Sequence, residues 1–378
     1  MPRTLALTLA VLTLAACGAA SDAGPEDGPS TATPSGEAQT DRAGSAASTP
    51  SPASPPSPAI PGVDRPELPA FLSGTNLSGL EFNSGVIPGK AYFDYGVPTH
   101  AEVDYFVKKG FRFFRLPFRW ERIQPTAGGE LDAKYLGYVK DLASYATGKG
   151  AHVLLDVHNY ARYRGKVIGS DTDGAVTAKQ FGDLWSRLAK EFAADPKVVF
   201  GLMNEPFGMD TKLWLDDANA AIAAIRATGA TNLLTVPGTR WTGAHSWAKT
   251  DNATVMLGVV DPLDNWIYEV HQYLDSDSSG THDTCPSTTI GEKALASFAA
   301  WAKANGKRAM LGEFGAASNA TCLEALDKAL AHMKANEDVW AGHTYWSAGP
   351  WWGDYMYSIE PRKDGSDAPQ MATLLKHL

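Results

Sequence analysis

Two glutamates in this chain are placed as the paired carboxyl groups of a catalyst would be. Glu205 follows the run Lys197-Val-Val-Phe-Gly-Leu-Met-Asn204, and Glu313 closes Lys307-Arg-Ala-Met-Leu-Gly before Phe314 and Gly315. Each run is apolar after its basic start and reads as a strand buried on both faces, as in a parallel sheet. Pro206 has no N–H for a continuing central strand, so the first strand must stop where Glu205 has just been presented. A carboxyl group at the end of a buried strand is costly unless it is paired or used. Two of them suit a reaction in which one carboxylic acid gives up a proton and the other carboxylate attacks.

The elements needed to bring these groups together are legible as alternating short apolar runs and amphipathic stretches. Strands are expected near Ser73–Leu77, Phe111–Leu116, His152–Val157, Val198–Met203, Asn232–Val236, Trp266–His271, Arg308–Gly312 and Gly342–Trp346. Helical patterns lie between them at Thr99–Lys109, Ala133–Thr147, Thr177–Phe192, Lys212–Ala227, Gly291–Ala304 and Cys322–Ala335. A weaker one spans Gly243–Lys249, and a last one Ala368–Lys376. Eight strand-then-helix units predict an α/β fold of the (β/α)8 TIM-barrel type. The competing open doubly wound sheet lacks a Gly-rich phosphate loop after its first strand. A barrel puts its active site at the C-terminal ends of the strands, where the polar residues gather: Arg115, His158-Asn159, Asn204-Glu205, His271-Gln-Tyr273, Glu313 and Trp346.

Composition narrows the partners. A net charge of -9 and the lack of a basic stripe argue against nucleic acid. The 11 tryptophans and 13 tyrosines exceed what a core needs and suggest stacking on something flat. Residues 1–16, with Arg3 and an apolar run from Leu5 to Ala16, read as a signal peptide, too short for a membrane span. Leu14-Ala-Ala-Cys17 resembles the bacterial lipoprotein box, which makes Cys17 the lipidated residue, an anchor at the cell envelope, and the one contact with membrane. The alternative is ordinary secretion with a stray cysteine. Residues 17–66 are rich in Pro, Ser and Ala and cannot bury enough apolar surface to order, so they read as a tether. Residues 67–378 then form the barrel, with no separate carbohydrate-binding domain in view. The remaining Cys285 and Cys322 read as a disulfide in an exported protein, with two free thiols as the alternative.

The polar strand ends, taken in order, resemble those of glycoside hydrolase family 5. The stretches Asn76-Leu-Ser-Gly-Leu-Glu-Phe82, His158-Asn-Tyr-Ala-Arg-Tyr163 and Tyr345-Trp-Ser-Ala-Gly-Pro-Trp-Trp352 are similar to the branch of fungal endo-β-1,4-glucanases and their bacterial relatives. The resemblance implies a monomeric, cofactor-free, metal-free enzyme that hydrolyses internal β-1,4 bonds of cellulose-type and mixed-linkage glucans with retention. It assigns Glu205 as acid/base and Glu313 as nucleophile. It also implies that Arg115 and Tyr273 hold Glu313, that Asn204 binds the sugar 2-hydroxyl, and that His271 sits near Glu205. His158 and Asn159 would face bound glucose and Trp346 would floor the cleavage subsite. Trp241, Trp247, Trp351 and Trp352 are candidate platforms for neighbouring glucose units.

Each residue also has a plainer reading. The histidines could be core residues, Arg115 a structural ion-pair partner, and any one tryptophan a packing group. Two histidines with two glutamates could suggest a metal site, but no ligand spacing supports it. Mannan or xyloglucan remains an alternative substrate, and a non-catalytic glucan-binding lipoprotein an alternative function.

Overall fold

The computed structural model describes residues 71–378. The expected signal peptide, Cys17 and the tether lie outside the described residues. Eight parallel strands close on themselves in the order β1-β8-β7-β6-β5-β4-β3-β2. They are β1 (Leu72–Leu77), β2 (Phe113–Phe118), β3 (His152–Val157), β4 (Val198–Gly201), β5 (Leu234–Pro237), β6 (Trp266–Tyr273), β7 (Ala309–Gly315) and β8 (Trp340–Ala348). Around them lie α1 (His100–Lys109), α2 (Ala133–Gly148), α3 (Ala178–Phe192), α4 (Thr211–Arg226), the one-turn α5 (Ala244–Trp247), α6 (Ile290–Ala304), α7 (Ala320–Lys334) and α8 (Pro369–Leu375). This is the expected (β/α)8 barrel.

Local chemistry sets the helix starts. Thr99 and Thr177 each close a capping box, with Glu102 and Gln180 reaching back to the cap, while Asp132, Asp210 and Asn319 accept from the first-turn N–H groups. Helix α1 ends at Gly110, whose φ of 105° is the left-handed cap that glycine adopts without a Cβ clash. Small features escaped the sequence patterns: a two-stranded hairpin at Arg162–Tyr163 and Lys166–Val167, and one-turn helices at Trp120–Ile123 and Asn252–Val255. Each is too short to show a period.

The core has two compartments. One large apolar layer fills the space between strands and helices. A smaller cluster, Phe113, Leu154, Val199, Leu233, Ile267, Met310 and Ala341, plugs the barrel interior. Successive side chains on a strand alternate faces, so on β2, β3 and β6 the residue two positions beyond the plug residue also points inward. Beyond Phe113 comes Arg115, beyond Leu154 comes Asp156, and beyond Ile267 come Glu269 and His271. The interior therefore changes from apolar to ionic as it approaches the C-terminal ends of the strands. At Gly312 a Cβ would lie 2.3 Å from a Glu269 carboxylate oxygen, so glycine makes room for that layer. The register shift that pairs Val270 with Leu311 but His271 with Glu313 then brings Glu313 to the site.

Cys285 and Cys322 are bonded, joining the loop after β6 to the first turn of α7 across 37 residues. No helix among the described residues is long and apolar enough to cross a membrane.

Candidate active site

Arg115 organises the ionic layer. It is fully buried, and its Nε donates to Glu269 Oε1 at 2.8 Å. Nη1 donates to Glu313 Oε1 at 2.8 Å and Asn76 Oδ1 at 3.0 Å, and Nη2 to Asn204 Oδ1 at 2.7 Å. The Asp156 carboxylate lies 3.2 Å from Nη2. Four hydrogen bonds and one ion pair from a single guanidinium thereby fix five neighbouring side chains at once. Burial would lower the Arg115 pKa, but Asp156, Glu269 and Glu313 around it raise it, so the group stays charged.

Glu313 is held from both sides. Its Oε1 takes Arg115, and its Oε2 accepts the Tyr273 hydroxyl at 2.7 Å. Burial alone would raise its pKa, yet the positive His271 and Arg115 outweigh that and lower it, keeping Glu313 ionised. Glu205 has the opposite balance. Burial pushes its pKa up and the Glu313 charge adds to this, against the His271 hydrogen bond. Environments that push two neighbouring carboxyl groups apart in this way assign one as the acid and one as the anion.

His271 mediates between them. Its Nδ1 is 2.7 Å from Glu205 Oε1 and its Nε2 is 3.3 Å from Glu269 Oε1. Both partners are carboxyl oxygens, so both ring nitrogens act as donors and the ring is an imidazolium. Burial opposes the charge, but Glu313, Glu205 and Glu269 raise the His271 pKa to about 10. Glu269, which burial would push up, is instead pulled down to about 2 by Arg115, His271 and Thr235. Two cations, Arg115 and His271, thus face the anions Glu269 and Glu313, burial pushes the Asp156 carboxyl well above its usual range, and the surroundings of Glu205 favour its protonated form more than those of Glu313 do.

One oxygen of Glu205, one of Glu313 and a His271 nitrogen lie within 4.8 Å of one another. As a metal site this set is poorly constituted: His271 Nδ1 is spent as a donor to Glu205, and Glu313 is already neutralised by Arg115. As a carboxyl pair it has the close spacing, about 5 Å, of retaining glycosidases rather than the roughly 6.5–9.5 Å that leaves room for water in inverting ones. The backbone supports its placement: Glu205 has a φ of 41°, in the left-handed region rarely adopted by a glutamate, as strained functional residues often are.

Asn204 uses its Oδ1 on Arg115, so its Nδ2 faces the other way, 3.3 Å from His158 Nε2. His158 is buried and its pKa is driven well below the usual range by desolvation, so the ring is neutral; its Nδ1 lies 2.7 Å from Asp156. Trp346 lies nearly parallel to His158, with centroids 5.6 Å apart. On one side Trp352 meets Trp346 edge-on at 5.6 Å and Phe82 at 4.9 Å. On the other, Trp241 is 40% exposed and stacks on Phe207 at 4.9 Å, with the Arg162 guanidinium 4.0 Å from the Phe207 ring centre. Trp351 is 49% exposed on the loop after β8.

Two expected substrate contacts are corrected. Trp247 is fully buried against Tyr268, Phe298 and Trp301, and packs α5 onto the outside of the barrel. Its position in a loop after β5 suggested the rim; the one-turn helix there turns the ring away from the cleft, into the layer between strands and helices. Asn159 is buried too, and its amide accepts from Trp120 N and donates to Glu121 and the Arg162 carbonyl, which leaves it nothing for a sugar. Conversely, the sequence reading passed over Asp156, Glu269 and Asn76. Their signal is alternation: each lies on a strand face shared with a plug residue or a site residue.

The cellulase (glycosyl hydrolase family 5) model matches residues 70–349. The chain is 43% identical to endoglucanase gh5-1 of Neurospora crassa over 76% of this chain and 72% of that one. It is 40% identical to endo-β-1,4-glucanase B of Emericella nidulans, over 80% of this chain and 89% of that one. Among solved structures it is similar to XacCel5A in complex with cellopentaose, with 46% identity, a TM-score of 0.79, and coverage of 82% and 99%. It is also similar to Pseudomonas stutzeri endoglucanase Cel5A in complex with cellobiose, with 34% identity, a TM-score of 0.75, and coverage of 81% and 92%.

Proposed function

The chain belongs to the cellulase family, glycosyl hydrolase family 5, and on that premise we propose that it is a retaining endo-β-1,4-glucanase whose chemistry is carried by Glu205 and Glu313. The observation that carries this reading is the carboxyl pair within 4.8 Å, with the pKa of one member raised and that of the other lowered.

The steps follow from the resting charges. Glu313, ionised and aimed by Arg115 and Tyr273, attacks the anomeric carbon while Glu205 gives its proton to the departing glycosidic oxygen. As the new bond forms, Glu313 loses its charge and the attraction of Arg115 and His271 for it falls. Glu205, now a carboxylate, is stabilised by the His271 imidazolium. In the second step Glu205 takes a proton from water, which attacks from the face the leaving group vacated and releases Glu313 with net retention. Asn204 Nδ2, held outward by the Arg115 bond to its Oδ1, is available to the sugar 2-hydroxyl, a contact that strengthens in the oxocarbenium-like transition state. Trp346 supports the apolar face of the glucose at the point of cleavage, and Trp241, Trp351 and Trp352 flank it.

The substrate is a soluble or amorphous β-1,4-glucan, including mixed-linkage glucan. We also read the protein as an exported monomer tethered through Cys17, a reading supported by the N-terminal sequence and by the disulfide, which persists in oxidising compartments. Proton NMR of cellohexaose hydrolysis, with parallel reducing-sugar assays on glucan, mannan and xyloglucan, tests the function. The β-anomer formed first, with glucan preferred, is the expected result. The α-anomer first would overturn the mechanism, and faster turnover of mannan or xyloglucan would overturn the substrate.

A further inference from the structure

The loop after β1 carries two aromatic side chains that the mechanism does not use. Phe93 is 78% and Tyr92 65% exposed, the highest values among the large apolar side chains described. Side chains this apolar are usually withdrawn from water, and an adjacent pair on one loop marks a contact surface more than a single exposed ring would.

Topology fixes where they lie. Each barrel helix runs back against its strand, so the loop after β1 and the N-terminus of α2 sit where the strands finish, at the end that holds Glu205 and Glu313. The same loop carries Phe82, which meets Trp352 edge-on at 4.9 Å, so the aromatic surface is continuous in chain with the wall of the cleft.

The loop is also held in place. Arg122 is buried and donates to the carbonyl oxygens of Leu80 at 2.6 Å, Phe82 at 2.7 Å, Asn83 at 2.9 Å and Pro88 at 3.1 Å. Its guanidinium lies 4.3 Å from the Tyr95 ring centre. Tyr92 rests edge-on against Tyr138 of α2, and Asp94 accepts from the Lys90 backbone N–H at 2.7 Å. A preformed surface does not lose its affinity to ordering on binding.

The same loop borders a cavity of about 190 Å3, lined by Lys90, by Ala91 next to Tyr92 in the chain, and by Tyr95, Arg122, Asp132 and Lys134. Lys90 and Lys134 enter no ion pair among the described residues, and Asp132 spends one oxygen capping α2. Flat apolar rings beside donors and acceptors of both signs match a pyranose, which offers a C–H face and equatorial hydroxyls, better than an anion or a purely apolar ligand.

From this juxtaposition we infer that Tyr92, Phe93 and the adjoining Lys90–Asp132–Lys134 cavity form a second, non-catalytic glucan site. A segment of β-1,4-glucan outside the cleft stacks on the rings there and places hydroxyls into the cavity. The inference rests on the reading of the chain as a glucanase, and deepens it by giving the enzyme a hold on polymer beyond the subsites that cleave.

The test uses the full-length protein and its Tyr92→Ala/Phe93→Ala variant, with a single Phe93→Ser variant should the double one fold poorly. Affinity electrophoresis in gels containing mixed-linkage glucan, which is uncharged, reads polymer binding; turnover of an aryl cellobioside reads the cleft alone. Binding of the polymer roughly three- to tenfold weaker, as loss of ring stacking implies, with cellobioside kcat/KM within about twofold of the native value, is the expected result. Unchanged retardation overturns the inference, and so does a fall in cellobioside turnover that matches the loss of polymer binding. Concentration-dependent dimerisation that the variant abolishes, with glucan binding intact, would make the face a protein contact and also overturn it. If the native enzyme hydrolyses no glucan at all, the functional reading fails, which is a different result from normal hydrolysis with retardation indifferent to Phe93.

Discussion

Replacing Arg115 by methionine removes a guanidinium whose N–H groups go to Glu269, Glu313, Asn76 and Asn204, with Asp156 at 3.2 Å, all of them buried. Methionine keeps much of the volume, so the loss is electrostatic rather than a cavity. Breaking one member out of a buried ionic cluster costs about 3–5 kcal/mol, because the remaining charges are left in a poor solvent. At about 2.1 cal/mol/K of unfolding entropy per residue, a domain of this size then loses roughly 5–8 °C in Tm.

The pH dependence separates this cause from loose packing. In the native protein Glu269 is held at about 2 and Glu313 below its usual value. Depressed carboxylates contribute stability that is full above their unfolded pKa, about 4.3, and is lost as pH falls through the folded one. Without Arg115 both prefer to be protonated, so the variant's deficit is widest near pH 7 and narrows toward pH 4. Thermal denaturation at pH 4, 5.5 and 7 reads the stability, and the acid limb of kcat/KM, which follows Glu313, moves up in the variant. A deficit below about 2 °C at pH 7, or one that is the same at pH 4, would refute the reasoning.

Three further outcomes are expected. Glu205→Ala spares the first step for a good leaving group, so an aryl cellobioside gives a burst of phenol and then slow turnover that azide accelerates with a β-glycosyl azide product; equal loss on good and poor leaving groups counts against the acid/base assignment. Reduction of Cys285–Cys322 lowers Tm, by up to roughly 4 kcal/mol of stability in the chain-entropy model for this loop, and alkylation of the unreduced, denatured protein labels neither cysteine; labelling of both contradicts the bridge. His343, buried between Phe71 and Phe314 with both ring nitrogens unpartnered among the described residues, has its pKa pushed down to about 3 by burial, with His377 and Lys334 adding to it. Its neutral form stabilises the fold fully above about pH 6.5, and that contribution is lost as pH falls, on the order of 2 kcal/mol by pH 5. His343→Leu should flatten the fall in Tm between pH 7 and 5; an unaltered fall shows that other groups cause it.

The barrel was legible because its strands are buried on both faces and punctuated by turns. β3 runs over His152–Val157 as the pattern indicated, and the other strands shift by a few residues at their ends. Polar side chains at strand ends stand out against apolar runs, which is why Arg115, Glu205, His271, Tyr273 and Glu313 are legible as candidates, and the structure brings them together. Asp156 and Glu269 were harder to see. They lie within strands, and a run buried on both faces does not reveal which of its residues point into the barrel; only Phe113, Leu154 and Ile267, once seen to plug the interior, give the phase. Asn159 and Trp247 were misplaced for the converse reason. Proximity in sequence to a strand end says nothing of which way a side chain turns, and Trp247 turns outward onto α6 while Asn159 ties Trp120 and Glu121 to its own loop.

The central claim is that Glu313 bonds to the anomeric carbon, and covalent trapping tests it most directly. A 2,4-dinitrophenyl 2-deoxy-2-fluoro-cellobioside has a leaving group that needs no acid and a fluorine that slows release, so the intermediate accumulates. Mass spectrometry of the digested protein should find one cellobiosyl adduct on the peptide that contains Glu313, and none in the Glu313→Ala protein. An adduct on Glu205, or rapid phenol release with no adduct and an α-product by NMR, would contradict it.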